Sequence, residues 1–412
     1  MRQYLKRAEK LLKQINELAT ISEQSGAITR TYGSEAFIKA SQQIKNWMEA
    51  AGLDTYIDNI GNVRGKLTCS NPEAKTFVIG SHLDSVANAG KFDGPLGIVM
   101  GLEMVSQIDK NKLPFNIELI AFCDEEGVRF HSTYLGSKVV AGSFDKNNLK
   151  TKDASGISLQ EVIISMGGNP DKLCEDAIKP DDWLGYFEIH IEQGPVLYER
   201  NIPVALVTAI AGQNRIEVMF KGVAGHAGTV PMDMRQDALC CAAEFIISVE
   251  KYANKHKKEI VATVGKLHIP NSASNVIPGL VTCTLDLRSA DEAMLFSANI
   301  AIKNMCRDIC QKRNVLMDWH QVQNTNPVTC DVSLNNLLNA SIERAGYTVI
   351  QLVSGAGHDA VPISKISPAT MLFVRCFKGI SHNPLEDVEL KDIAASIHVA
   401  DIFLQQLIQQ QK

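Results

Sequence analysis

IELIAFCDEEGVRF, residues 117–130, joins an apolar run to two adjacent glutamates. IELIAF reads as a strand with no polar face, as expected inside a sheet covered on both sides. Glu125 and Glu126 follow at its end, where like charges repel and raise one another's pKa. Asp-Glu-Glu-Gly is also ordinary turn chemistry. The alternative is a cation nearby.

Similar strands recur along the chain. TFVIG (76–80) precedes an apolar helix around GIVMGLEMVSQI (97–108), and ATMLFVRC (369–376) precedes a closing helix. The spacing of Phe37, Ala40, Ile44, Trp47 and Met48 predicts a helix over 34–51. Short apolar strands separated by helices indicate an α/β layer with a largely buried mixed sheet. YTVIQLV (347–353) reads as a further strand. The opening segment is charged throughout, so it is not a secretory signal. Leu5, Ala8, Leu12 and Ile15 there mark an amphipathic surface helix.

Beyond residue 210 the texture changes. RIEVMFKG alternates like a half-exposed strand, then come a helix over about 234–256, strands near 260–268 and 280–288, and a helix over about 291–313. This β-α-β-β-α-β order predicts a ferredoxin-like α+β unit, residues 211–325, inserted into a discontinuous domain of residues 1–210 and 326–412.

At 412 residues two domains are expected. Hydrophobic content of 45% and charged content of 21% describe a soluble globular protein. A net charge of -5 argues against nucleic acid as a partner. No segment approaches the ~20 apolar residues of a membrane span. Ten scattered cysteines without a Cys-x-x-Cys pair favour free thiols and a reducing, cytoplasmic setting.

Candidates for a cation site lie at the strand ends. GSHLDSVANAGKFDGPLG (80–97) holds His82, Asp84 and Asp93; FEIHIEQG (187–194) holds His190; GISHNP (379–384) holds His382. Ligands gather at strand ends in open α/β sheets, so distant loops can converge there. Two or three histidines with three carboxylates suffice for two divalent ions. Taken singly, His190 also reads as a hydrogen-bonded core residue, and Asp84 and Asp93 as turn residues.

Together GSHLDSV, GKFDGPLG, DEEG, HIEQG, GHAGT and GISHNP resemble the dinuclear metal-dependent amidohydrolases of the M20 peptidase type. The resemblance runs from about residue 30 to 395. It is closest to the branch of allantoate amidohydrolases, N-carbamoyl-L-amino acid hydrolases and ureidoglycolate amidohydrolases. FCDEEGVRFHSTYLGS, SGAGHDA and LFVRCFKGISHNP point within it to allantoate amidohydrolases.

The resemblance implies a metallopeptidase-like catalytic domain and an inserted dimerisation, or lid, domain. It implies that Asp93 bridges two ions, with His82 and His190 completing one site and Glu126 and His382 the other. Glu125 becomes the general base, and Asp84 a hydrogen-bond partner of the His82 imidazole. Manganese is favoured, with zinc, cobalt or nickel as alternatives. In the inserted domain His226 is implied as an oxyanion donor, with Asn275, Gln213 and Arg288 on a small anionic substrate. Without the resemblance, Arg288 reads as a strand-end surface charge. Gly357 and His358, in SGAGHDA, are implied at the substrate carboxylate, although His358 also reads as structural. A homodimer with shared active sites completes the expectation. A non-catalytic anion-binding protein on the same scaffold is the alternative of a different class.

Overall fold

Thr76–His82 and Asn116–Phe122 are buried along their whole length, which places these apolar runs at the centre of a sheet. The computed structural model describes residues 1–71 and 73–411. By its contacts the chain divides into two units, Met1–Thr208 with Cys330–Lys412, and Ala209–Thr329.

In the first unit the strands are β1 (Asp54–Ile57), β2 (Val63–Leu67), β3 (Thr76–His82), β4 (Asn116–Phe122), β5 (Trp183–Ile191) and β6 (Val204–Ile210), joined by a late strand, Ala369–Val374. The sheet runs β1-β2-β4-β3-β5, then Ala369–Val374, then β6. β4, β3, β5 and Ala369–Val374 are mutually parallel, while β2 and β6 flank them antiparallel. All four parallel strands therefore end at one edge of the sheet, which is the feature that positions the site.

Helices α1 (Arg2–Ala19), α2 (Glu35–Ala50) and α3 (Pro95–Ser106) precede β5, and Leu390–Gln410 closes the chain. Every residue of α3 from Pro95 to Val105 is buried, because the helix packs on β3 and β5 and is covered by α1. α1 is consequently less of a surface helix than its charge suggests. Its buried stripe is Ala8, Leu11, Ile15 and Leu18, with Leu5 and Leu12 only partly covered. Arg7 fastens it to Glu103 of α3 (2.8 Å) and to Asp401 of the closing helix (3.0 Å). YTVIQLV is extended only over Gln351–Ser354. Before that the chain is still turning out of the helix Val332–Arg344, through Gly346 at φ 84° and a Tyr347 N–H to Ile342 O bond of 3.1 Å.

The second unit has the predicted order of elements: Gly212–Lys221, helix Ala238–Lys255, Ile260–His268, Leu280–Ser289, helix Glu292–Lys312 and Leu316–Thr325. Its four main strands are antiparallel, in spatial order fourth, first, third, second. Ile216, Val218 and Phe220 point to a separate core shared with Phe245 and Ile302 of the two helices. The architecture is α/β with a central mixed sheet, plus this α+β unit.

Phe403 anchors the closing helix, its ring 4.7 Å from Phe187 and 6.1 Å from Phe77. Phe403→Ala should cost about 3–5 kcal/mol in urea unfolding, as expected for an aromatic removed from a packed core. A loss below about 1 kcal/mol would mean that the helix is held elsewhere.

Candidate metal centre

The parallel strand ends bring His82, Asp93, Glu125, Glu126, His190 and His382 together. Asp93 is the hub. Its Oδ1 lies 3.2 Å from His190 Nε2 and 3.9 Å from His82 Nε2, and its Oδ2 lies 3.0 Å from His382 Nε2. His382 Nε2 also lies 3.2 Å from Glu126 Oε1. Three overlapping sets of ligand atoms fall within 4.8 Å of one another: His82–Asp93–His190, Asp93–Glu126–His382, and His82–Glu125–Glu126.

The tautomers suit a cation. His82 Nδ1 donates to the backbone carbonyl of Asp84 (3.1 Å), and His190 Nδ1 to that of Ile191 (3.0 Å). Each ring thereby turns Nε2 inward, and the two Nε2 atoms face each other at 3.3 Å beside Asp93 Oδ1, where loss of the Nε2 proton presents a lone pair to a cation. Converging lone pairs of mixed nitrogen and oxygen type are what a divalent transition ion binds. The residues present therefore fit a metal.

Asp84 is a hydrogen-bond partner of the His82 imidazole, as expected, and the bond runs through its backbone. The Asp84 carboxylate stands 3.9 Å from the His82 ring, so it is the Asp84 carbonyl that orients the imidazole. The carboxylate accepts the N–H groups of Glu125 (3.0 Å) and Glu126 (3.2 Å) and so holds the two-glutamate turn. A carboxylate gains more from two preorganised backbone donors than from one ring nitrogen already bonded elsewhere.

Local backbone geometry aims the ligands. Gly94 has φ 85°, and a Cβ there would lie 2.4 Å from the His82 carbonyl, so only glycine lets α3 begin directly behind Asp93. Pro95 then starts the helix with its φ already set. Asp124 (φ 50°), Gln193 (φ 56°) and His382 (φ 53°) are non-glycine residues in the left-handed region, a strain that functional loops commonly store.

Electrostatics follow from this crowding. Burial, reinforced by Glu126 and Asp359, pushes the Glu125 carboxyl well above the usual range. Burial opposes charge on His82, yet Asp84 and Asp93 bring its pKa up to about 9. The hydrogen bonds of His382 to Asp93 and Glu126 raise it to about 10. Burial lowers His190. Burial also works against the Asp93 charge, but His382, His190 and His82 hold that carboxyl well below its ordinary value.

Four residues that the sequence reading passed over support this centre. Gln193 Nε2 reaches both Asp93 oxygens (3.0 and 3.1 Å), and Ser381 Oγ reaches Asp93 Oδ2 (3.1 Å). Glu386 accepts from the N–H groups of Phe92 and Asp93. Arg30, fully buried, donates to the carbonyls of Leu83, Leu18 and Ile21 and ties the His82 loop to the end of α1. Gln193 and Ser381 stand inside quoted motifs; nothing in the sequence marks Arg30.

His358, for which a place at the substrate carboxylate and a structural role were both open, packs against the centre. It is buried, bonded through Nε2 to Ser354 Oγ (2.7 Å), with its ring edge-to-face against His190 at 4.6 Å. It braces a histidine of the centre from behind. Gly357 passes so close to the Tyr134 hydroxyl that a side chain there would displace the tyrosine ring.

Within the second unit, Gln213 and Arg288 sit opposite each other on paired strands. Both bond Asp286: Arg288 forks onto it through Nε (2.7 Å) and Nη2 (2.9 Å), and Gln213 Nε2 lies 2.6 Å from it. The Nε–Nη2 edge of Arg288 is thus engaged by a carboxylate of its own strand. A cavity of about 600 Å³ is lined by Arg215, Asp286 and Arg288 among others. His226 pairs with Val276 beside Asn275. Its Nδ1 accepts the Gly228 N–H (3.0 Å), which leaves the ring proton on Nε2 as an outward donor.

Comparison with known proteins places the chain in a family. The profile of peptidase family M20/M25/M40 matches residues 78–406. Allantoate deiminase 1 of Glycine max is 38% identical, covering 97% of this chain and 89% of that protein. N-carbamoyl-L-amino acid amidohydrolase of Geobacillus stearothermophilus is also 38% identical, covering 95% of this chain and 96% of that protein. A crystal structure of an amidase of the hydantoinase/carbamoylase family from Burkholderia multivorans superposes with a TM-score of 0.89 at 31% identity, over 97% of both chains. Matched over most of its length and aligned with these relatives nearly end to end, the chain belongs to peptidase family M20/M25/M40.

Proposed function

We propose that this chain is a metal-dependent amidohydrolase that cleaves a ureido or amidine C–N bond of a small carboxylate, allantoate first, with release of ammonia. The observation that carries the reading is the convergence of His82, His190, Glu126 and His382 on the two oxygens of Asp93, with Glu125 beside them. Allantoate and N-carbamoyl-L-amino acids, named in the two relatives, share a ureido group on the carbon next to a carboxylate. That shared fragment defines the substrate class. Equal identity to the two relatives keeps N-carbamoyl-L-amino acids, and with them ureidoglycolate, as alternative substrates. A non-catalytic anion-binding role is disfavoured because all five ligand residues and Glu125 are present.

His82, His190 and Asp93 would hold one divalent ion, and Asp93, Glu126 and His382 a second, with manganese favoured over zinc, cobalt or nickel. Bound there, such ions polarise the scissile carbonyl and make a water acidic near neutral pH. Glu125, buried and held by Asp84, takes the proton of the attacking water and hands it to the leaving nitrogen. His226, with its proton on Nε2, donates to the developing oxyanion. Arg288, with Gln213 and Asn275, holds the substrate carboxylate, and Asp286 keeps the guanidinium aligned. No helix among the described residues is long and apolar enough to cross a membrane. The ten cysteines are all free thiols, which suits a reducing, cytoplasmic setting.

Allantoate, N-carbamoyl amino acids and ureidoglycolate should be screened with added manganese and scored by ammonia release. Turnover highest on allantoate is expected. Activity on none of them would sink the proposal.

The paired glutamates should separate cleanly. Glu125→Gln is expected to keep its metal while turnover falls by about 10²–10⁴-fold, the share of a general base. Glu126→Ala is expected to weaken one metal site. Metal analysis showing the reverse would exchange the two assignments.

We further propose a homodimer in which the second unit of each subunit completes its partner's site, as expected for a two-fold assembly. Inactive Glu125→Ala and His226→Ala subunits, mixed and allowed to exchange, should then regain activity, because one site in each mixed dimer is intact. If subunits exchange and the mixture stays inactive, sharing is refuted.

A further inference from the structure

We infer that Glu386 and Ser381 form a clamp that positions the Asp93–Glu126–His382 half of the metal centre, making Glu386 a positioning residue for one ion; the inference rests on the two-ion reading above. Asp93 follows β3, and His382 follows Ala369–Val374. β5 lies between those strands, so no strand pairing joins the two loops. The joint is made by side chains instead.

Glu386 Oε1 accepts the backbone N–H groups of Phe92 (2.7 Å) and Asp93 (3.1 Å). Its Oε2 and Asp93 Oδ2 lie 2.9 and 3.1 Å from Ser381 Oγ, whose single proton bridges to one or the other of the two carboxylates. Glu386 is 4% exposed and sits on a turn closed by its own N–H to Asn383 O (3.0 Å). A carboxylate buried this deeply is costly unless its oxygens find donors, and here each has a donor within reach. Glu386 belongs to none of the three ligand sets, so it acts through Asp93 and His382 rather than as a ligand.

The clamp is one-sided. Ser381 contacts Oδ2, the oxygen 3.0 Å from His382, and precedes that histidine, whose backbone is held at φ 53°. Oδ1, which faces His190, receives nothing from Ser381 or Glu386. Loosening the clamp should therefore disturb one half of the centre more than the other. Partners placed behind metal ligands commonly change affinity by about 10–100-fold.

Wild type, Glu386→Ala, Glu386→Gln and His382→Ala can be titrated with Mn²⁺ against a chelator, with bound metal counted by emission spectrometry and folding checked by circular dichroism. Glu386→Ala is expected to remain folded and keep one ion, while the second loses about 10–100-fold in affinity, like the ion lost in His382→Ala. Glu386→Gln retains an acceptor for the two N–H groups and should stay within about threefold of wild type. Unchanged affinity for both ions in Glu386→Ala overturns the clamp and leaves the two-ion reading standing. Equal weakening of both ions, or a glutamine variant as impaired as alanine, also overturns it, because general loosening of the loops would do the same. A single ion in wild type refutes the two-ion reading; the clamp then survives only if that ion weakens in alanine and returns in glutamine. Should Glu386→Ala fail to fold, Gly90→Ala supplies the displacement, since its Cβ would lie 2.2 Å from that of Glu386. It must then show the same one-sided loss, or the clamp is overturned.

Discussion

One buried carboxylate, that of Asp93, is what the loops of the first unit are arranged around. Three histidines, a glutamine amide and a serine hydroxyl converge on its two oxygens. His82 and His190 stand at the ends of β3 and β5, Gln193, Ser381 and His382 in the loops after β5 and Ala369–Val374, while Glu126 closes the ring from the loop after β4. This is possible because those four strands are parallel and end at one edge. Had any one run antiparallel, its ligand would have emerged at the opposite edge. Apolar, fully buried strands are therefore a condition of the chemistry as well as of stability.

The second constraint is how to keep two adjacent glutamates, one buried and one half-buried, side by side. Asp84 anchors their backbone with two N–H bonds, which adds a further negative charge to the cluster. Burial together with these neighbours pushes Glu125 well above the usual carboxylate range. A divalent cation would reverse that balance, favouring the ionised form that a general base needs. Left-handed backbone at Asp124, Gln193 and His382 belongs to the same economy: strain is tolerated where ligand direction matters.

Much of this was legible in the sequence because local rules and tertiary context agree. Apolar runs ending in His, Asp or Glu mark central strands with functional ends, and IELIAF followed by Asp-Glu-Glu is the clearest case. The β-α-β-β-α-β order of the second unit was readable from alternating strands such as RIEVMFKG, whose burial does alternate. Harder to read were residues whose role depends on what folds beside them. Leu11 and Leu18 of α1 continue the helical stripe of Ala8 and Ile15, but that Leu11 rather than its neighbour Leu12 is fully covered is decided by α3 and the closing helix. His358 stands in a glycine-rich stretch that reads both as a ligand loop and as structure, and only the fold sets its ring against that of His190.

The sequence by itself determined the inventory: which strands are buried, which loops carry ligands, and that paired glutamates at a strand end call for a cation. These follow from composition and period over a few residues, where covalent neighbours dominate. Only the tertiary structure decided which atom does which task. It assigned the His82 tautomer to the Asp84 carbonyl rather than its carboxylate, recruited Glu386 and Arg30, and gave Asp286 the fork of Arg288. Hydrogen bonds form or fail over a few tenths of an ångström, and no rule of sequence spacing resolves such distances, whether the partners are neighbours like His82 and Asp84 or lie as far apart as Glu386 and Phe92.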